Sequence, residues 1–136
     1  LSKRILEITG DLNLDSFIDK KTGELSSGQK NRVSLAKSLI NKPKILFLDE
    51  PTASLDPDIG DFVRNYIKEY KKKNKISILL ASHNMKEVEM LCDQVIMMKE
   101  GKIVDRGTCQ SLIKKHGRNN LEDTFLKIAR NKNELE

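Results

Sequence analysis

The sequence predicts an α/β fold: a parallel sheet with helices flanking it. Three stretches carry that prediction. Ile45 to Leu48 runs without polar interruption into Asp49 and Glu50, and Ile76 to Ala81, apolar except for Ser77, runs into Ser82, His83 and Asn84. An unbroken apolar run suits a strand covered on both faces, as in a parallel sheet between helices. In the third stretch, between the runs, Ile59, Phe62, Val63, Tyr66, Ile67 and Tyr70 recur at helical spacing. A helix in that position is the usual right-handed crossover between parallel strands. Ligands of such sheets collect at the carboxyl ends of the strands, the edge where Asp49, Glu50 and His83 fall.

Taken in order, the chain opens with Leu1, Ile5 and Ile8 at helical spacing, and Gly10 is the expected helix stop. Leu12, Leu14, Phe17 and Ile18 form a second apolar patch, so residues 1–24 read as part of a small helical subdomain. Leu25-Ser26-Ser27-Gly28-Gln29 leads into a helix whose apolar face is Val33, Ala36, Leu39 and Ile40, closed by Pro43; this is segment 25–42. Segment 43–107 holds the core strands and helices. Within it, Pro51 to Leu55 form a loop, and Asp56-Pro57 reads as an N-cap followed by proline at the first helical position. Val88 and Leu91 mark a short helix, and Glu100-Gly101 reads as the turn of a hairpin between Gln94–Lys99 and Lys102–Asp105. In segment 108–136, a short helix from about Gln110 is followed by a terminal one striped by Leu121, Phe125 and Ile128. That stripe is expected to dock inward, with a partner as the alternative.

Net charge is +5, yet acids and bases are both abundant. The basic clusters, Lys71, Lys72, Lys73 and Lys75 and then Lys114, Lys115 and Arg118, fall where helices should end. Lysines there complement the helix dipole, and with few aromatics to stack on bases no nucleic-acid partner is expected. Cys92 and Cys109 lack metal-ligand spacing and read as reduced structural thiols of a cytoplasmic protein. No apolar run approaches the roughly 20 residues that cross a bilayer. At 136 residues, opening on Leu1 and with no signal-peptide pattern, the chain reads as about one domain and as a fragment or trimmed product.

Chemistry is concentrated in three places. Asp49 and Glu50 suit phosphoryl transfer, one carboxylate assisting Mg²⁺ and the other orienting or deprotonating a water; their bland reading is a solvated loop. Ser26 with Gln29 fits a capping box, and the same helix start would let a phosphate approach unpaired backbone N–H groups. For Asp56 a capping role suffices. His83 is either a helix-capping or surface residue or a functional partner of the acid pair.

In this order the chain carries LSSGQ, ILFLDEP, SLDP and SHN, within about sixty residues. The set resembles the second half of an ATP-binding cassette (ABC) transporter ATPase, and MKEGKIVDRGT extends the resemblance over nearly the whole chain. LSSGQ is similar to the family's signature motif, ILFLDE to Walker B, SLDP to the D-loop and Ser82-His83 to the switch-histidine loop. The resemblance implies a partial P-loop NTPase (RecA-like) fold with a remnant of the helical subdomain at the N-terminus. It also implies ATP and Mg²⁺ as ligands. Asp49 would assist the metal and Glu50 would polarise the attacking water. His83 would contact the γ-phosphate and the opposite D-loop around Asp56, while Ser26, Ser27, Gly28 and Gln29 would face a nucleotide held by a second ATPase subunit. Membrane-spanning transporter subunits are the other implied partners, with the chain at the cytoplasmic face of a membrane. The LEDTFLKI tail resembles exporter-type members. Ser27 stands where the family more often has Gly, and no G-x-x-x-x-G-K-S/T occurs, so the loop that grips phosphates is missing. The alternatives are a non-catalytic interaction module, or part of an ABC ATPase of the DNA-repair or translation type.

Overall fold

Parallel pairing of the two apolar runs organises the first half of the computed structural model, which describes residues 2–130. Leu1, the first apolar position of the opening stripe, lies outside the described residues. Strand β1 (Ile45–Asp49) pairs in parallel with β2 (Ser77–Ala81), in register from Ile45 opposite Ser77 to Asp49 opposite Ala81. The described residues form two units, 2–82 and 83–130.

In the first unit, helix α1 (Ser2–Asp11) runs through Gly10, which therefore is not its stop. Asn13 ends it, at φ +52. The Leu14 N–H donates to the Thr9 carbonyl at 2.8 Å and the Asn13 N–H to the Gly10 carbonyl at 3.1 Å, the paired bonds of a Schellman cap with Asn in the left-handed position. Leu12, Leu14 and Phe17 are buried as the apolar patch requires, whereas Ile18 is half exposed. Helix α2 (Ser27–Leu39) buries Leu35, Ala36 and Leu39. Its Arg32 lies over the Phe17 ring and donates to the carbonyls of Leu12 and Asn13, joining the helix to the patch. Helix α3 (Pro57–Asn74) is the crossover between the strands, with Val63, Ile67 and Tyr70 buried, lysines in its last turn, and Lys75 at φ +51 as its left-handed cap. Arg4 donates to the Tyr70 hydroxyl at 3.1 Å, tying α1 to α3.

The expected cover on both sheet faces is found on one only. Leu46 and Leu48 are buried, but Ile45, Phe47 and Leu79 on the opposite face are 58%, 72% and 61% exposed. Side chains alternate across a strand, and among the described residues of this unit nothing buries that second face.

In the second unit, helix α4 (Met85–Leu91) is followed by the antiparallel hairpin of β3 (Val95–Lys99) and β4 (Lys102–Gly107). Glu100 and Gly101 both have positive φ, +50 and +76, the primed turn whose twist matches the strands. Helices α5 (Cys109–His116) and α6 (Leu121–Arg130) complete the unit. The α6 stripe docks inward, with Leu121 and Ile128 sharing a core with Val88, Met97 and Leu112. Both cysteines are free thiols, and burial pushes Cys109 up from its ordinary pKa.

Asp105 of β4 anchors α5. Its nearly buried carboxylate accepts from Lys115 Nζ at 2.9 Å and lies 2.7 Å from His116 Nε2. Burial alone would raise this carboxyl, but the hydrogen bonds from His116, Lys115 and the Arg106 N–H outweigh it and hold the group below its usual range. A depressed folded-state pKa stabilises the fold above the unfolded carboxylate pKa, and the contribution is lost as pH falls through the folded value. Asp105→Asn is therefore expected to cost about 1.5–3 kcal/mol in urea unfolding at neutral pH, the usual worth of hydrogen bonds to a charged group. The gap to the native chain should narrow in acid, and a gap independent of pH would contradict the assignment.

Candidate functional site

Asp49 is the last residue of β1, and the chain turns at once. Glu50 has φ +47, a left-handed value that non-glycine residues rarely adopt and that is further disfavoured before Pro51, where extended backbone is the rule. Strain of this kind costs on the order of 1–3 kcal/mol and persists only where neighbours over-determine it. Here the neighbours are visible. The Glu50 N–H donates to the Ala81 carbonyl at 2.9 Å, extending the β1–β2 ladder by one bond, and the Ala53 N–H donates to the Glu50 carbonyl at 3.2 Å. Asn31 Nδ2 of α2 donates to the Pro51 carbonyl at 3.0 Å, and Arg64 of α3 reaches the Thr52 hydroxyl at 3.4 Å.

The LSSGQ stretch realises its capping reading. Ser26 Oγ accepts from the Gln29 N–H at 3.2 Å and Gln29 Oε1 accepts from the Ser26 N–H at 3.0 Å. The capping box occupies both side chains, so what this helix start offers an anion is the N–H groups of its first turn and the exposed Ser27. Gly28 packs directly on the loop after the acids: a Cβ there would sit 3.2 Å from Leu55 Cδ2 and 3.3 Å from the Ser54 carbonyl oxygen. Asp56 caps α3 by accepting from the Ile59 N–H at 3.1 Å.

The first unit thus packs the helix that starts at Ser26–Gln29, through Gly28 and Asn31, against the loop that runs from Asp49 and Glu50 to Asp56. His83 opens the second unit, two residues along the chain from the end of β2. Capping of α4 belongs to its neighbour Asn84, whose Oδ1 accepts from the Lys86 and Glu87 N–H groups. Sequence reasoning missed Asn31 and Arg64. The available signal was an Asn early in a helix, where its short amide competes with the backbone and is disfavoured unless it has a partner. Among the described residues no three His, Cys, Asp or Glu side chains gather as a metal cluster. One or two carboxylates with ligand oxygens and water is the donor set that fits Mg²⁺.

Residues 2–53 match the sequence profile of a family described as ABC transporter. The ABC transporter ATP-binding protein NatA of Bacillus subtilis (strain 168) is 32% identical over 126 residues, covering 93% of this chain and 51% of the relative. The chain belongs to the ABC family. A second ABC relative, the tungstate uptake system ATP-binding protein TupC of Peptoclostridium acidaminophilum, is 35% identical over 103 residues, covering 76% of this chain and 48% of the relative. The solved post-hydrolysis dimer of the ATP-binding cassette MJ0796, bound to ADP and Pi, aligns with TM-score 0.73 at 27% identity, over 78% of this chain and 46% of that one. The fold is that of the P-loop NTPase cassettes of ABC proteins. This ABC chain spans about half the length of these relatives.

Proposed function

We propose that this chain supplies the signature helix and the water-activating acid of an ABC transporter ATPase. The observation that carries the reading is the braced acid turn, with Asp49 and Glu50 at the carboxyl edge of a parallel strand pair. In this reading Glu50 accepts the proton of the attacking water and His83 contacts the γ-phosphate. Ser26, Ser27, Gly28 and Gln29 face the nucleotide of a second cassette, with Asp56 in the adjoining loop. Asp49 would hold Mg²⁺, which when bound neutralises charge on the phosphates. Domain segments 1–24, 25–42, 43–107 and 108–136 keep the roles expected of them in such a cassette.

The sequence has no G-x-x-x-x-G-K-S/T, so in the working assembly other residues grip the β- and γ-phosphates. The open apolar face of Ile45, Phe47 and Leu79 supports docking of a Walker A-bearing segment there. No helix among the described residues is long and apolar enough to cross a membrane. Attachment at its cytoplasmic face would therefore run through membrane-spanning subunits. The LEDTFLKI tail points to export and the name of the tungstate relative to uptake; the proposal takes neither direction.

Mg-dependent ATP hydrolysis by the chain alone and mixed with a Walker A-bearing half cassette tests the reading. The chain alone should bind Mg-ATP weakly and turn it over little, and the mixture should be active. Tight Mg-ATP binding to the lone chain in a calorimetric titration would contradict it. A folded but inactive pair would favour a second reading, a non-catalytic module that offers its signature helix to an intact cassette. Co-purification with an intact cassette in the presence of ATP is the mark of that module.

A further inference from the structure

We propose that Asn31 is a positioning residue for Glu50, holding the strained acid turn from the signature helix. The inference rests on the ATPase reading of that turn for its functional meaning. Its structural content stands apart from that reading.

Proline has no N–H, so the carbonyl is the only backbone group through which Pro51 can be held by a hydrogen bond. Asn31 Nδ2 donates to it at 3.0 Å, across 20 residues of sequence, and Pro51 is buried. This bond fixes the peptide plane that follows Pro51, while the Ala81 carbonyl fixes the N–H of Glu50 on the other side. Glu50 is held at a φ of +47, which it would not adopt by preference, by its own bonds to Ala81 and Ala53, and the Asn31 bond fixes the next peptide but one.

Helix α2 meets the loop at a second point on the same face. Gly28 lies three residues before Asn31, and positions three apart on a helix are neighbours on its surface. The close approach of Gly28 to Ser54 and Leu55 sets the distance between helix and loop, and the Asn31 amide converts that proximity into a directional bond. An apolar residue of similar size at 31 would remove the donor that Asn31 gives to the carbonyl of the buried Pro51.

The test uses the full chain. In the native protein, the Glu50 HN–Hα coupling and its Cα and Cβ shifts should report the left-handed conformation. The Asn31 side-chain amide should exchange slowly and show a scalar coupling across the hydrogen bond to the Pro51 carbonyl carbon. Asn31→Leu should erase the left-handed signature of Glu50 while the spectrum of α3 is unchanged, and Asn31→Gln, which keeps a donor, should restore it in part. In the assembly with a Walker A-bearing half, Asn31→Leu should lower kcat by roughly ten- to a hundredfold with KM for ATP unchanged, and Asn31→Gln should recover much of it.

A folded Asn31→Leu chain with the native Glu50 signature and native kcat overturns the proposal. So does the absence of any coupling or exchange protection at the Asn31 amide of the native chain, a result that needs no variant to fold. If the native assembly does not hydrolyse ATP, the function proposed above fails, and the spectra of the lone chain still decide whether Asn31 holds Glu50.

Discussion

Replacing Glu50 with glutamine is expected to lower ATP turnover by the assembled cassette roughly 10²–10⁴-fold, the usual worth of a general base. Nucleotide affinity should barely change. The reason is local: the bonds from the Glu50 N–H to the Ala81 carbonyl and from the Ala53 N–H to the Glu50 carbonyl are main-chain bonds that the substitution leaves in place. Glutamine matches the volume of the side chain and can orient a water, but it cannot take the proton. Loss confined to kcat is the signature of a group that acts in the transition state alone. Phosphate release at saturating Mg-ATP, with circular dichroism to establish that the variant is folded, is the measurement. Turnover that survives in the Gln variant would remove Glu50 from the reaction and leave the acid turn a structural feature.

Phe47→Asp should abolish docking of the Walker A-bearing half while leaving the lone chain folded. Phe47 is 72% exposed, lies opposite Leu79 in the register, and shares its face with Ile45. Burying a large apolar side chain gains about 1.5–3 kcal/mol. Its loss, together with the cost of desolvating a carboxylate, should weaken association at least a hundredfold, since about 1.4 kcal/mol is tenfold in affinity. An exposed substitution of this kind changes monomer stability by only about 0.5 kcal/mol. Leu46→Asp is the contrast, because Leu46 is 4% exposed and points into the core. That variant should fail to fold. Isothermal titration of the two halves, with sedimentation of each variant alone, separates the outcomes. Undiminished association of the Asp variant would mean that the face is not the docking surface.

Local rules that act over three or four residues were legible. The capping box of Ser26 and Gln29, the Asp56-Pro57 start of α3 and the Glu100-Gly101 turn are set by hydrogen bonds to adjacent backbone, so spacing alone identifies them. The parallel pairing followed from two apolar runs joined by a helix. What escaped was set by partners far along the chain or by competition between neighbours. Gly10 looked like a helix end until Asn13, three residues on, took the left-handed position. The position of His83 suits a cap as well, yet Asn84 fills that role. The left-handed Glu50 runs against the local preference before proline, and it is held there by its bonds to Ala81 and Ala53 and by the Asn31 bond to Pro51. The uncovered face of β1 shows a further limit of sequence reading: an apolar pattern records the surroundings in which a strand is used, and the described residues supply only one side of them.

The bond from the Glu50 N–H to the Ala81 carbonyl also sets a schedule for synthesis. Ala81 leaves the ribosome 31 residues after Glu50, an interval of a few seconds at roughly 5–20 residues per second. Throughout it β1 lacks β2 and the acid turn lacks one of its anchors. The helical patch built from residues 2–39 can form in the meantime from neighbouring contacts, but parallel pairing must wait for the whole crossover. The strand end that carries Asp49 and Glu50 therefore gains its β2 anchor late on the nascent chain. During that interval the apolar strand is exposed to whatever binds such segments as they emerge, and slowing translation between residues 50 and 81 would lengthen the exposure without altering the finished protein.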